Sequence, residues 1–382
     1  MEKNDYPKFQ NFGQLLRELH NDKLQKEFLS KMRWGNTPKC IHCSQADYVR
    51  IYSKPGFYEC SSCKIQFSVL QGTIFERSPI PLDIWFWAIF EFCTGLTSSP
   101  VAASRHTLQQ KTAWKVNMRI RETLWEELNT KLTGTIYCDE TELGPNPQMD
   151  LRVFHDKRIK EKLGLKPDHF MNVFGMLETG KTHKAKPTKN IESCQGGRLL
   201  LVAIDDKSHE TLQRQMITKT DAYNSKFITD GWKGYNDFNL WCDRHYILNK
   251  STYGKYDYNK HVRKVNEYSL ELATEAEIAA GKFMTLTNNP IENVWSKLCL
   301  QYRQYFGFSK EYAQLYFNEF MFRWNHRHLS KAERFELLLK RCLNTPLYDG
   351  KGKNRKKITL QSKFTRCPKT DGSGKFEWKT VM

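Results

Sequence analysis

GTIYCDETELG, residues 134–144, decides the fold, read together with KFITDGWKGY, residues 226–235. Each is a short β-like run ending in an acid, Asp139 in the first and Asp230 in the second. A third carboxylate, Glu292, follows in TNNPIENVWSKL (287–298), which reads as the first turn of a helix. Two carboxylates at strand ends and one on a later helix offer a cage of oxygens. Hard divalent cations such as Mg2+ or Mn2+ take that kind of cage, together with water and phosphate oxygens. Two such ions about 3.5–4 Å apart can activate water and stabilise a leaving oxygen in phosphodiester cleavage. The constellation therefore points to metal-dependent chemistry on DNA phosphodiesters.

Around these acids the chain from about 133 to 330 alternates strand-like and helical patterns. The apolar runs are GTIYC (134–138), MNVFGML (171–177), RLLLVAI (198–204) and KFIT (226–229), with a weaker HYIL at 245–248. Ser208 is placed to cap a helix over HETLQRQM, although Thr211 rather than Glu or Gln stands three residues on. Three strands, a helix, a fourth strand and later helices match the order of a ribonuclease-H-like α/β domain. Ligands in such sheets collect at strand ends. Inserts at 145–170 and 181–197 are rich in Lys and Pro and read as loops.

Charge supports a polyanionic partner. The chain has 60 Lys+Arg against 42 Asp+Glu, a net charge of +18, and neutralising phosphates releases condensed counterions. A membrane surface is the competing polyanion, but no window of about 18 apolar residues occurs. IWFWAIFEF is interrupted by Glu91 and follows Asp83, as a buried helix would be. The start lacks a basic, apolar and small-residue leader pattern, so the expected location is cytoplasmic.

Four segments are expected. The first, 1–78, carries Cys40, Cys43, Cys60 and Cys63, two Cys-x-x-Cys knuckles separated by sixteen residues. That spacing suits a zinc ribbon with one tetrahedral Zn2+. The other seven cysteines lack ligand spacing. Residues 79–132 read as helical: Trp85, Ala88, Ile89 and Phe92 form a core stripe, then SSPVAASRH, then a long helix with Trp114, Met118 and Leu124 inward. Long, short, long suits a helix-turn-helix, with Gln109, Gln110, Lys111 and Lys115 opening the reading helix; a plain helical bundle is the other reading. The catalytic α/β segment is 133–330. The tail, 331–382, holds 14 Lys+Arg against 5 Asp+Glu, a net +9 densest in KGKNRKK (351–357).

Each acid also has an ordinary reading. Asp139 could cap a turn and Asp230 precedes Gly231 in a turn dipeptide. Asn289, Pro290 and Glu292 fit the N-cap, first and third positions of a helix. Glu140 is expected on the opposite sheet face from Asp139, and Glu142 in the following turn. In NEFMFRWNHR (318–327), Glu319, Arg323 and Arg327 recur every four residues, either as a surface ion-pair ladder or as phosphate contacts.

Taken together these blocks resemble the zinc-ribbon DDE transposases of bacterial insertion sequences, the group whose eukaryotic relatives are the Merlin elements. The likeness covers Arg33-Trp34-Gly35, both knuckles, QFSVLQGTIFERSPIPLDIWFWAI (66–89), CDETE, TDGWKGY, NPIENVWS and NEFMFRWNHR. It implies a ribonuclease-H-like catalytic domain in an α+β multidomain chain, with structural Zn2+ and catalytic Mg2+ or Mn2+. It implies a nucleoid-associated enzyme that binds double-stranded element ends, cuts them and joins them to target DNA, as a homo-oligomer when bound to DNA. Asp139 and Asp230 match the family's two aspartates, and Arg323 and Arg327 would approach DNA phosphates. The third position is Asn289 or Glu292; Glu292 is preferred as the direct ligand because a carboxylate binds Mg2+ more strongly than an amide. Cys299 stands where relatives usually carry Lys, and Asn249-Lys250-Ser251 where they commonly read Asn-His-Ser. The alternatives are a ribonuclease-H-like nuclease without strand transfer, and a domesticated DNA-binding regulator without catalysis.

Overall fold

In the computed structural model, two helices precede a small sheet in the N-terminal part of the chain. The structure describes residues 12–95, 98–129, 131–144, 170–178, 197–248 and 288–346, with short pieces at 161, 256–257, 262–263, 275, 279, 348–349 and 356–357. The inserts expected at 145–170 and 181–197, the Asn249-Lys250-Ser251 stretch and most of the basic tail lie outside the described residues. The chain divides into two compact units, Met1–Asp83 with Leu337–Met382, and Ile84–Glu336. The helices expected between 79 and 132 thus belong, from Ile84 on, to the unit that holds the large sheet.

In the first unit, α1 (Phe12–Glu18) and α2 (Asp22–Trp34) precede an antiparallel sheet of β1 (Tyr48–Arg50), β2 (Phe57–Cys60) and β3 (Gln66–Ser68). Asn21 caps α2, its side chain accepting from the Leu24 N–H at 3.0 Å. Gly35 ends the helix at φ +67°, backbone that glycine adopts without steric cost. Arg33-Trp34-Gly35 thereby gains a physical account. Arg33 Nη1 donates to the Val69 and Gln71 carbonyls at 2.7 and 2.8 Å. Trp34 sets its indole edge-on to Tyr58 and Phe67, with centroids 5.7 and 5.8 Å away. Helix and ribbon are thus held by one cation and one aromatic cluster.

In the second unit, α3 (Leu82–Thr94), which starts two residues before the unit does, buries the expected stripe of Trp85, Ala88, Ile89 and Phe92. Glu91, the acid inside that apolar run, is 9% exposed and pairs with Arg105 at 2.9 Å. The helices α4 (Ser99–His106) and α5 (Gln110–Glu122) are joined through Thr107 at φ +52°. Gln109 is the N-cap of α5, and Gln109, Gln110, Lys111 and Lys115 are all exposed. The inner face of α5 is centred on Ala113, Val116 and Ile120; Met118 and Leu124 are buried as expected, whereas Trp114 is half-buried.

The large sheet contains β4 (Leu132–Leu143), β5 (Met171–Glu178), β6 (Leu199–Ile204), β7 (Thr220–Asp230) and β8 (Arg244–Leu248) in the order β6-β5-β4-β7-β8. The β4–β5 and β5–β6 pairs are antiparallel, and β4–β7 and β7–β8 are parallel. Between β6 and β7 runs α6 (His209–Lys219), capped by Ser208 as expected. Then come α7 (Asn289–Gln304), α8 (Ala313–Asn325) and α9 (Lys331–Asn344).

Three expectations need correction here. Asp139 does not end a strand: β4 continues through Leu143 because β5 pairs with it up to Leu143↔Met171. Glu142 accordingly lies in β4 and not in a turn. The parallel pairing of β4 with β7, by contrast, stops at Tyr137↔Ile228, so Asp139 sits just past the point where that neighbour leaves. Lastly, the cap of α7 is Asn288, whose carbonyl accepts from the Glu292 N–H; Asn289 is the first helical residue and Glu292 the fourth.

α8 closes the edge of the sheet at β6. Asn325 accepts from the Leu199 N–H at 2.7 Å and donates to its carbonyl at 3.1 Å. Gln314 accepts from the Ala203 N–H at 2.8 Å and donates to the Leu201 carbonyl at 2.9 Å. Two side-chain amides on one helix thus stand in for a neighbouring strand and satisfy an otherwise open edge.

Candidate functional site

Among the described residues, ligand chemistry gathers at four thiols and at a set of carboxylates beside the end of β7. In the ribbon, Cys40 Sγ and Cys63 Sγ are 3.7 Å apart, Cys43 Sγ and Cys60 Sγ 3.5 Å, and all four lie within 4.8 Å of one another. A tetrahedron of thiolates about 2.3 Å from zinc has edges of roughly 3.8 Å, so the cluster has the size of a Zn2+ shell. The knuckle backbone turns N–H groups onto the sulfurs, His42 N to Cys40 and Cys63 N to Cys60. The Cys63 N–H leads in pulling the Cys60 thiol down to about 6, toward the thiolate a metal needs. The structure thus brings together all four cysteines named from spacing, and the donor set suits structural zinc.

The second place is the end of the large sheet at which β7 stops. Tyr137 is level with Ile228 across the parallel pair; carrying that register forward two residues places Asp139 level with Asp230. On the antiparallel side, Asp139 is opposite Gly175. Asp139 Oδ2 accepts from the Trp295 indole N–H at 2.7 Å, and Oδ1 accepts from the Glu140 backbone N–H at 3.0 Å. Asp230 Oδ1 accepts from the Trp232 backbone N–H at 3.0 Å, and the Trp232 side chain is exposed beside it. Glu140 bonds to the Tyr235 hydroxyl instead, and Glu142 pairs with Lys207 at 3.0 Å. Successive residues of a strand point to opposite faces, which is why Asp139 and Glu140 find different partners.

Electrostatics marks Asp139 out. Burial pushes its carboxyl up to about 7; the Trp295 N–H pulls the other way, and the neighbouring charges of Glu140 and Asp230 add to the rise. Glu140 is raised as well, first by burial and then by Asp230, against the pull of Tyr235 and Lys207. Like charges crowded in a partly buried place disfavour ionisation, and a divalent cation reverses that penalty. The donor set therefore fits a hard cation. Among the described residues, only the four thiols converge within 4.8 Å as a group of three or more ligand side chains; the carboxylates are spread more widely.

Glu292 is exposed on the first turn of α7. It lies three residues before Trp295, about one turn of the helix away. The side chain of Asn289 lies outside the described residues. Asn288 is buried, and its Oδ1 has no hydrogen-bond partner among the described residues. Cys299 is 6% exposed and packs in the core cluster.

Glu319, Arg323 and Arg327 do not form a surface ladder. Glu319 is 1% exposed; it accepts from Arg121 Nε at 2.7 Å and bonds to Arg323 and Tyr305. Arg121 is itself buried, with Tyr316 stacked 3.9 Å from its guanidinium carbon. Arg323 also donates to Gln301 at 2.7 Å. The helix ends at Asn325, so Arg327 falls beyond it and donates to the Trp324 and Gly197 carbonyls. Arg323, Arg327, Lys297 and Trp324 line one groove of about 320 Å3.

Sequence reasoning named Asp139, Asp230 and the four cysteines but missed Trp295, Gly175, Tyr235 and Arg121. The tryptophan in ENVWS and the glycine interrupting MNVFGML were the available signals.

No helix among the described residues is long and apolar enough to cross a membrane. Residues 20–66 match the family model described as a transposase zinc-ribbon domain, and residues 131–325 that described as an ISXO2-like transposase domain. An uncharacterized protein in transposable element ISH50 of Halobacterium salinarum is 28% identical over 114 residues, which cover 29% of this chain and 38% of that protein. The second family match takes in more than half of the chain, from just before β4 to the last residue of α8: the chain belongs to the ISXO2-like transposases.

Proposed function

We propose that this protein is a DNA transposase that binds the two ends of an insertion element, cuts phosphodiesters there and joins the freed 3′ ends to target DNA. The observation that carries the reading is the nearness of Asp139 and Asp230, each two residues beyond the last paired residues of two parallel strands, with the Asp230 charge helping to raise the Asp139 carboxyl. The strand order β6-β5-β4-β7-β8, with three antiparallel strands followed by two parallel ones, supports a ribonuclease-H-like catalytic domain. Asp139, Asp230 and Glu292 would hold Mg2+ or Mn2+, with Asn289 as the other candidate for the third position. When bound, the cations supply Lewis-acid activation and charge neutralisation at the phosphate.

The chain's own residues do the rest. Asp139 and Asp230 are fixed in direction, each with a backbone N–H on Oδ1. Water first attacks the phosphodiester at the element's end and displaces the element's 3′ oxygen, which leaves as the 3′-hydroxyl while the 5′ phosphate stays on the flanking DNA. That hydroxyl then displaces a 3′ oxygen of the target, forming one phosphodiester for the one broken. Positioning and electrostatics carry such phosphoryl transfers, so no covalent protein–DNA intermediate is required.

The ribbon and the exposed start of α5, with Gln109, Gln110, Lys111 and Lys115, would recognise element ends. Arg323 and Arg327, on the groove with Lys297, would contact backbone phosphates. An element has two ends, and a homo-oligomer bound to DNA follows by symmetry. Incubating the zinc-loaded protein with its flanking inverted repeats, Mg2+ and a target plasmid tests the reading. Joined products are expected; cleavage alone would make the protein a nuclease, and binding alone a regulator.

A further inference from the structure

We infer that Trp295 is a positioning residue of the carboxylate site, holding Asp139 through its indole N–H, and that Gly175 is glycine because this indole must pass over it. The inference rests on the reading of Asp139 as a divalent-cation ligand.

Three observations converge on it. The Nε1···Oδ2 distance is 2.7 Å, in the short range of hydrogen bonds to ionised acceptors. An indole N–H is a donor only, so Trp295 orients the carboxylate without competing for a cation. Second, the Glu140 N–H takes the other oxygen. One fixed donor on each oxygen locks the rotamer and leaves the remaining lone pairs for a cation. Third, the space for the indole is built into the sheet. Gly175 faces Asp139 across the β4–β5 pair, and a Cβ there would come 2.3 Å from Trp295 Cη2 and 3.2 Å from Ile291 Cδ1. A side chain at 175 would force the Trp295 ring to shift and displace the donor. Trp295 is 7% exposed, so its ring is held by packing.

A tryptophan that is merely core would use Asp139 only to satisfy its own N–H. The two cases differ in what happens to the carboxylate. Hydrogen-bonding partners of metal ligands change metal affinity by roughly 10–100-fold when removed; a packing residue changes stability alone.

The test uses the full-length, zinc-loaded protein labelled with 15N-tryptophan. Trp295→Phe, which keeps an aromatic ring and removes the donor, identifies the Trp295 indole resonance. In the wild type that resonance shifts on adding Mg2+, and in Asp139→Asn it does not. Mn2+ affinity, read by electron paramagnetic resonance of the free ion, falls about 10–100-fold in Trp295→Phe and also falls in Gly175→Ala, in which the N–H is retained but displaced. If the wild type binds no Mn2+, or Asp139→Asn binds it equally well, the metal-ligand reading itself fails. If Asp139→Asn loses Mn2+ while Trp295→Phe binds like the wild type, that reading stands and this inference is overturned. Should Trp295→Phe not fold, wild-type affinity in Gly175→Ala overturns the inference on its own.

Discussion

Glu319 and Asp139 are two carboxylates in the same unit, both taken largely out of water, and they are driven in opposite directions. Burial would raise both. At Glu319 the charges of Arg121 and Arg323 outweigh it and hold the carboxyl below its usual range. At Asp139 the neighbours are Glu140 and Asp230, and the carboxyl rises to about 7. Glu319 has its cations supplied by the chain; Asp139 has an indole N–H, one backbone N–H and two like charges. A buried acid whose partners are complete is structure. One whose electrostatics is incomplete is where a protein waits for something else, because low dielectric raises the cost of unpartnered charge. The thiol cluster is a third case, in which local spacing alone assembles the whole shell.

The contrast can be broken in three places. The largest effect belongs to the ribbon. Structural zinc contributes about 10–16 kcal/mol of apparent binding free energy, which is folding free energy. One zinc per chain is expected, lost in Cys40→Ser/Cys43→Ser, with loss of the dispersed amide signals of β1–β3. Unchanged zinc content in metal analysis of that variant would remove the assignment.

Next in size is Glu319→Gln. Deleting one partner of a buried ion pair costs about 3–5 kcal/mol, because Arg121 is left charged and buried. Denaturant unfolding should show that loss. A variant as stable as the wild type would mean that Arg121 is satisfied by its aromatic neighbours alone.

The third effect has the opposite sign and belongs to Asp139. In metal-free buffer, Asp139→Asn is expected to be no less stable than the wild type, and the advantage should grow with pH. The folded carboxyl titrates near 7 and the unfolded one near about 3.9. Between those values the folded state holds the proton that the unfolded state has lost, so wild-type stability falls as pH rises, by at most about 1.4 kcal/mol per unit. The asparagine variant lacks this slope. Parallel stability curves for the two proteins across that range would show that Asp139 is not strained by its neighbours.

How much was legible beforehand follows from distance along the chain. The knuckles, the α3 stripe, the five strands and the Ser208 cap are local patterns, and the period or spacing carries them. Arg33-Trp34-Gly35 was visible as a motif, yet its reason, one cation and one indole docked on the ribbon, needed the fold. The β4 run was recognised only up to Cys138, since polar residues hide a strand's second half when its neighbour, β5, lies beyond an insert. Trp295 meets Asp139 from 156 residues away and Arg121 meets Glu319 from 198, and no periodicity encodes such meetings. The four-residue repeat of Glu319, Arg323 and Arg327 misled because spacing shows a face but not what covers it, and because the helix ends at Asn325.

The central claim is that Asp139 and Asp230 form the reacting centre, and cleavage by their amide variants tests it most directly. Labelled element-end DNA in Mg2+ is followed for strand cleavage, with anisotropy measuring binding on the same samples. Asp139→Asn and Asp230→Asn should each bind the ends nearly as the wild type does and release no cut strand. Wild-type cleavage by Asp139→Asn would contradict the account.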